Sequence, residues 1–211
     1  MSAAPAVPPD DPGPPPHPPA DLFARDLPIH AVPAAALLYR IHSARRDPLF
    51  FGPAPGVPPR GRWDAPGGEF RVCYLAEDPH VAFAETFLRE PGMTVIEEPD
   101  LVARSLAGIE VRSALRLAAM HGPGLARAGA TAAVCTGPYA VSRAWALALH
   151  EHPAALDGIR YRARHDDDGF AIALFDRSAG AIVPVDTRVL DPRTLADPIA
   201  EWLDRYGMGL I

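Results

Sequence analysis

The chain has 211 residues and a mass of 22.5 kDa, with 48% hydrophobic and 22% charged residues, which suits a protein built around one core. Its formal charge of −6 and pI near 5.7 exclude a surface that coats nucleic acid, since that needs clustered Lys and Arg in excess. An anionic ligand must instead be met by a few placed arginines.

Residues 1 to 20 hold nine prolines, too many for a hydrogen-bonded ladder and with too little apolar surface to offset ordering. The expectation is a disordered Pro/Ala-rich tail over residues 1–30 and a folded domain over 31–211. Leu37 to His42 reads as the first strand. Residues 47–68 contain six prolines and five glycines and form a long loop, of a length that is usually functional in a compact domain. Phe70 to Leu75 alternates with the period of a strand. Asp78-Pro79 then opens a helix that should run to about Glu90, before Pro91-Gly92 ends it. On that helix Val81, Glu85 and Leu88 fall at i, i+4 and i+7, so the Glu85 carboxylate shares an apolar stripe and points inward.

A second helix is expected from about Pro138 to His150, with Thr136 or Gly137 near its cap. Gly158 to Tyr161 and Phe170 to Phe175 flank a His165-to-Gly169 turn and read as a hairpin; Ala181 to Val185 suggests a further strand, and Asp191 to Tyr206 a terminal helix. Cys73 and Cys135 have no metal-ligand spacing and read as buried free thiols. His150 and His152, one residue apart on a helix, diverge and read as surface histidines, and no metal site is expected. The Asp166 to Asp168 run lacks the alternating ligands of a calcium loop. No stretch approaches the roughly 18 consecutive apolar residues of a spanning helix, and no basic segment leads an apolar run at the N-terminus, so a cytoplasmic protein without membrane association is expected.

Four features then converge between Tyr39 and Glu85: Tyr39-Arg40-Ile41-His42, Gly61-Arg62-Trp63, Tyr74-Leu75-Ala76 and the helix carrying Glu85. Two guanidiniums, a phenol and a carboxylate suit a pocket that holds a pyrophosphate, stacks an aromatic base and stabilises a cationic sugar, as in a dinucleotide such as NAD. No Gly-x-Gly-x-x-Gly follows a strand and no Gly-x-x-x-x-Gly-Lys occurs, so NAD is expected as a substrate rather than a bound cofactor. Trp63 reads as a packing plug for its loop ahead of a stacking surface.

With those residues located, the chain resembles the RES domain family. The resemblance runs through Leu38-Tyr39-Arg40-Ile41, Gly61-Arg62-Trp63-Asp64, Val72 to Ala76, Ala82-Phe83-Ala84-Glu85, Tyr139-Ala140-Val141, Asp157 to Tyr161 and Ala173-Leu174-Phe175. It implies a single α+β domain similar in fold to ADP-ribosyltransferases, with mixed or antiparallel sheets and flanking helices. It also implies NAD degradation by water or phosphate, with inorganic phosphate as a co-substrate in the second case. Many members are toxins neutralised by a helical antitoxin, which makes such a protein an expected partner and leaves oligomerisation open. Carried over, Arg40 and Glu85 become the catalytic pair, and Arg62 and Tyr74 bind substrate. The family serine falls to Thr136 or Ser142, because Ala163 stands where some relatives carry Ser. An ADP-ribosyltransferase acting on a macromolecule, and a non-catalytic binding module of the same fold, are the alternative readings.

Overall fold

The computed structural model describes residues 16–211. In chain order the strands are β1 (Ile29–Val32), β2 (Leu37–Ser43), β3 (Val72–Ala76), β4 (Val95–Ile96), β5 (Arg104–Val111), β6 (Leu115–Met120), β7 (Gly158–Arg162), β8 (Phe170–Phe175), β9 (Ile182–Val189) and β10 (Gly209–Leu210). The helices are α1 (Pro79–Phe87), α2 (Glu98–Val102), α3 (Pro123–Ala128), α4 (Ala133–Thr136), α5 (Tyr139–His150) and α6 (Ala196–Tyr206).

Eight strands form one sheet in the order β1-β6-β7-β8-β3-β2-β5-β9, and β10 pairs with β4 in a separate parallel ribbon. Within the large sheet every pair is antiparallel except β6 with β7. This is an α+β domain with a curled, mostly antiparallel sheet. Leu38, Cys73, Leu75, Ile109, Leu117, Ile172 and Leu174 project from strands across the whole sheet into one cluster, as a sheet curling over its own inner face requires. The other face carries the helices, with Trp63, Phe83, Trp145, Leu149, Phe175 and Trp202 packed together. Removing a buried aromatic from that layer costs about 3–5 kcal/mol.

The hairpin of β7 and β8 has the expected antiparallel register, Tyr161 opposite Ala171. Its strands pack so closely at Gly158 that a Cβ there would run into the Ala173 carbonyl. Helix α1 starts at Pro79 with Asp78 extended before it, but the Asp78 side chain makes no capping bond, and the helix stops at Phe87, about a turn before the expected end. Helix α6 begins at Ala196, after a turn in which the Asp191 carboxylate accepts from Arg193 N. Strand β9 runs past the expected Val185 to Val189, pairing with β5 through an irregularity at Gly108/Ile109. Strands β1, β4, β5, β6 and β10 fall outside the elements expected from sequence. The composition of β6, Leu-Arg-Leu-Ala-Ala-Met, favours helix locally, and its pairing with β1 and β7 overrides that preference.

The expected tail divides in two. Residues 1–15 lie outside the described residues, whereas residues 16–30 are part of the packed structure. Leu22 and Leu27 are buried, the Pro16 carbonyl accepts from Trp145 Nε1 at 2.7 Å, and Ile29 starts β1. Two well-placed leucines supply the apolar surface that the proline count conceals. The histidine expectation is also corrected. His152 is buried and its Nε2 faces the Leu22 carbonyl at 3.2 Å, while the His150 ring stacks on Phe70 at 4.3 Å. Both cysteines are free and buried, as expected. Among the described residues no helix is long and apolar enough to cross a membrane.

Burial is the leading cause that pushes His30, His42, His121, His150 and His165 below the ordinary histidine range. In the unfolded chain these rings titrate near about 6.5. The native state therefore binds fewer protons than the unfolded one below that pH, so the stability they contribute is complete above it and lost as pH falls. Thermal unfolding followed between pH 8 and pH 5 should give a midpoint that is level above pH about 7 and drops on the acid side. A midpoint that rises toward pH 5 would contradict this linkage.

Candidate active site

β2 and β3 are neighbours in the sheet but share a single residue pair, Tyr39 opposite Ala76. β2 pairs with β5 over seven residues and β3 with β8 over five, so the sheet is well zipped on either side of a split. Into this split projects Arg40. Its Nη1 donates to the carbonyls of Pro48 and Phe50, both at 2.8 Å, and approaches Cys73 Sγ at 2.9 Å. All three contacts use one nitrogen, which leaves the remaining guanidinium donors for a ligand.

A cleft of about 350 Å³ opens at the split. Arg40, Arg62, Tyr74 and Glu85, separated by up to 45 positions in the chain, all line it. Glu85 comes from α1, in the last turn, and is half-buried as the apolar stripe implied. Its Oε1 accepts from the backbone N–H groups of Arg164 and His165, at 2.7 and 3.1 Å, in the turn between β7 and β8. The carboxylate is therefore held in one orientation by peptide dipoles with no cationic partner in the pair. The same turn is fixed from the other side, where Tyr206 donates to Asp166 at 2.7 Å.

Arg62 is buried, with Nη1 donating to Gly137 O at 2.7 Å and to Ser142 Oγ at 3.0 Å, and the Tyr139 ring 4.5 Å from its guanidinium carbon. No carboxylate lies within ion-pair distance of it among the described residues. Burial pulls its pKa downward, the signature of a charge taken from water without a counter-charge. Arg160 shows the contrasting case. It is equally buried but forks onto both oxygens of Glu77, at 2.6 and 2.8 Å.

The Gly/Pro loop that carries Arg62 is fastened by side chains. Asp64 Oδ2 accepts from the backbone of Arg60 and Gly61, its Oδ1 accepts from Tyr74 Oη at 2.8 Å, and Tyr74 Oη accepts from Trp63 N at 2.9 Å. A Cβ at Gly61 would strike the Tyr74 hydroxyl, so glycine permits this approach. Arg143 of α5 closes the loop by donating to the Gly61 and Pro59 carbonyls, each at 3.1 Å. Trp63 is fully buried against Tyr161, in keeping with a packing plug.

These positions revise three expected roles. Tyr74 presents its ring to the cleft, but its hydroxyl is committed to Asp64 and Trp63, and burial raises its pKa far above the phenol range. Ser142 does not line the cleft. At 0% exposure it donates to Val134 O at 2.6 Å and accepts from Arg62, so it orients that guanidinium from behind. Thr136, at the end of α4, turns its hydroxyl back to Ala132 O at 3.3 Å and meets Arg62 only through its carbonyl, at 3.4 Å. Ala163 does not line the cleft either, so the absence of a serine there removes nothing from it.

Arg60, Arg89, Arg164, His165, Tyr39, Tyr139 and Tyr161 also line the cleft and are not assigned to it from sequence. Five arginines face one carboxylate, and four of the five tyrosines of the chain surround the opening. Such a lining favours an anion that carries flat rings. Tyr139 and Tyr161 stand inside the runs that carry the family resemblance; Arg164 and His165 carry no signal, because their link to Glu85 is through backbone. Among the described residues no group of His, Cys, Asp or Glu side chains is arranged to hold a metal ion.

Tyr74→Phe keeps the ring and deletes both loop bonds. It should lower stability by about 1–3 kcal/mol, because a buried Asp64 oxygen and the Trp63 N–H lose their partners. Denaturant unfolding measures this, and Phe at position 74 with wild-type stability would show that the loop is held elsewhere.

The RES domain family matches residues 37–195. Among curated proteins none matches the sequence. In the solved structures a similar chain is MbcT, from the crystal structure of the M. tuberculosis MbcT–MbcA toxin–antitoxin complex. It shares 20% identity at a TM-score of 0.57, over 81% of this chain and 92% of that one, a likeness of fold that agrees with the expected α+β architecture. With the match spanning most of the folded residues and its motifs gathered around one cleft, the chain belongs to the RES domain family.

Proposed function

We propose that the chain degrades NAD by cleaving the bond between nicotinamide and ribose, with water or inorganic phosphate as the acceptor. The observation that carries this reading is the shared cleft of Arg40, Arg62, Tyr74 and Glu85, in which one oriented carboxylate faces several cations and aromatic rings. NAD enters as a substrate and no resident cofactor is required.

The nicotinamide leaving group is already cationic, so its departure needs no protonation, unlike an ordinary glycoside whose oxygen requires an acid. As the C1′–N bond breaks, its electron pair leaves with nicotinamide and positive charge develops on the ribose. Glu85, fixed by two peptide N–H groups, stabilises that charge without having to reorganise. The incoming oxygen of water or phosphate forms the new bond to C1′, and its proton passes to Glu85 or solvent. Arg40 and Arg62 meet the pyrophosphate with forked donors, which a lysine does not offer. For Arg62, which lacks a carboxylate partner, that anion supplies the missing counter-charge. The same field attracts a phosphate nucleophile.

The comparison with MbcT, crystallised with MbcA as a toxin–antitoxin complex, supports a toxin–antitoxin role with an antitoxin as partner; a helical form for that antitoxin and the cytoplasm as the place of action belong to the same proposal. The mouth of the cleft is where a partner would stop the reaction.

Purified protein should consume NAD and release nicotinamide, with chromatography separating the two. Glu85→Gln preserves the acceptor for the Arg164 and His165 amides but removes the charge, and should lower kcat on the order of 10²-fold or more at unchanged thermal stability. Product mass, ADP-ribose in phosphate-free buffer against ADP-ribose phosphate with phosphate present, identifies the acceptor. No nicotinamide release in either buffer, at high protein concentration, refutes the proposal.

A further inference from the structure

β9 closes one end of the eight-stranded sheet, pairing with β5 on one side and, among the described residues, with no strand on the other. From Pro184 to Val189 every residue is exposed, including Val185 at 51% and Val189 at 45%. An open edge of that length is a template for another strand. The backbone bonds show which of its groups are free. Leu190 N donates to the Arg104 carbonyl at 2.9 Å, so by antiparallel alternation Arg188 and Asp186 turn their N–H and C=O toward β5, while Thr187 and Val189 turn theirs outward. Beyond the irregularity at Gly108/Ile109, Arg112 N donates to the Ala181 carbonyl at 2.7 Å. The same alternation puts Pro184 at an outward position, where its missing N–H breaks no bond to β5.

The side chains say what this edge accepts. Val185-Asp186-Thr187-Arg188-Val189 is symmetric about Thr187 except that the charges on either side of it are opposite, so the segment is complementary to its own reverse. A second copy laid antiparallel, with a two-fold axis at Thr187, sets the two Thr187 residues against each other as a hydrogen-bonded pair. That pairing needs an outward N–H and C=O at Thr187, and both are there. Asp186 then falls opposite Arg188 of the partner subunit, and Arg188 opposite Asp186 of the partner subunit, at the non-hydrogen-bonded positions where facing side chains come closest. Within one chain Asp186 and Arg188 already pair at 2.6 Å in the open, so assembly joins two ion pairs into one group of four alternating charges. An apolar strand on the same edge would cover those charges without answering them. The residues that keep this edge from pairing at random therefore select a copy of itself.

We propose that β9 is a self-pairing edge through which two copies of the chain join their sheets about a two-fold axis. The interface is isologous, so one patch serves both subunits. It is short, because Pro184 has no donor at one end and Leu190 turns back into the core at the other. Such a strip is smaller than the interface of a permanent dimer, and the dimer forms as concentration rises. No residue from Pro184 to Val189 lines the cleft, so this inference stands apart from the NAD-degrading reading.

Sedimentation equilibrium of the full chain, from micromolar to near-millimolar concentration at low salt, should show the mass rising from 22.5 kDa toward twice that value. Thr187→Pro deletes an outward N–H and spares the bonds to β5, as Pro184 does in the same strand, and should stay monomeric over that range with an unchanged circular dichroism spectrum. Asp186→Arg and Arg188→Asp each set like charges opposite one another across the axis and should weaken the dimer about tenfold or more. An equal mixture of those two variants brings opposite charges together at both positions and should recover association of wild-type strength. A wild type that is monomeric throughout overturns the proposal, and so does a dimer that any one of the three folded variants leaves intact. A mixture that associates no better than its components overturns it as well, because the pairing is then not centred on Thr187. Where Thr187→Pro fails to fold, the two charge variants and their mixture decide alone.

Discussion

The site depends on an incomplete pairing. β2 and β3 touch at one residue pair, while their outer neighbours hold them with full ladders. A sheet interior with unmade bonds is normally costly, because each buried peptide group needs a partner. Here the gap is bridged by a side chain. Arg40 takes two carbonyls from the loop after β2 and touches Cys73 on β3, so it ties together the loop and both edges of the split. The curled sheet can then open a cleft without leaving its edges unsupported.

The second requirement is a rigid loop. A segment with six prolines and five glycines between residues 47 and 68 has little regular structure, and its order comes from Asp64, Tyr74, Arg40 and Arg143, each holding backbone groups. Fixing the loop places Arg62 in a buried position where carbonyls, a hydroxyl and an aromatic face hold it. Such a group is unsatisfied in the sense that matters for binding, since its dipolar partners orient it without neutralising it. Glu85 is treated in the same way, by peptide N–H groups instead of a cation. Cation and carboxylate thus remain available within a single cleft and are not consumed by each other, which is what electrostatic preorganisation demands.

Charge is distributed accordingly. The chain carries −6 overall, yet five arginines line the cleft. The focusing of positive potential at a concave opening draws anionic ligands against the net charge of the molecule. Arg160 and Glu77, by contrast, neutralise each other at close range and read as architecture.

Local pattern marked much of this in advance. The strand periods of β2, β3, β7 and β8, the Asp-Pro start of α1 and the inward stripe of Glu85 each depend on neighbours within a few positions, so the amino-acid order alone determined them. The order of motifs likewise determined the family, and with it which of the many arginines to suspect. The fold decided what depends on distant partners. Alanine-rich β6 became a strand because β1 and β7 flank it; Leu22 and Leu27 turned an apparent tail into packing; Ser142 was placed behind Arg62, and the Tyr74 hydroxyl was spent on the loop. The amides that orient Glu85 lie 79 and 80 positions away and act through backbone atoms that every residue possesses, so no choice of side chain could have announced them.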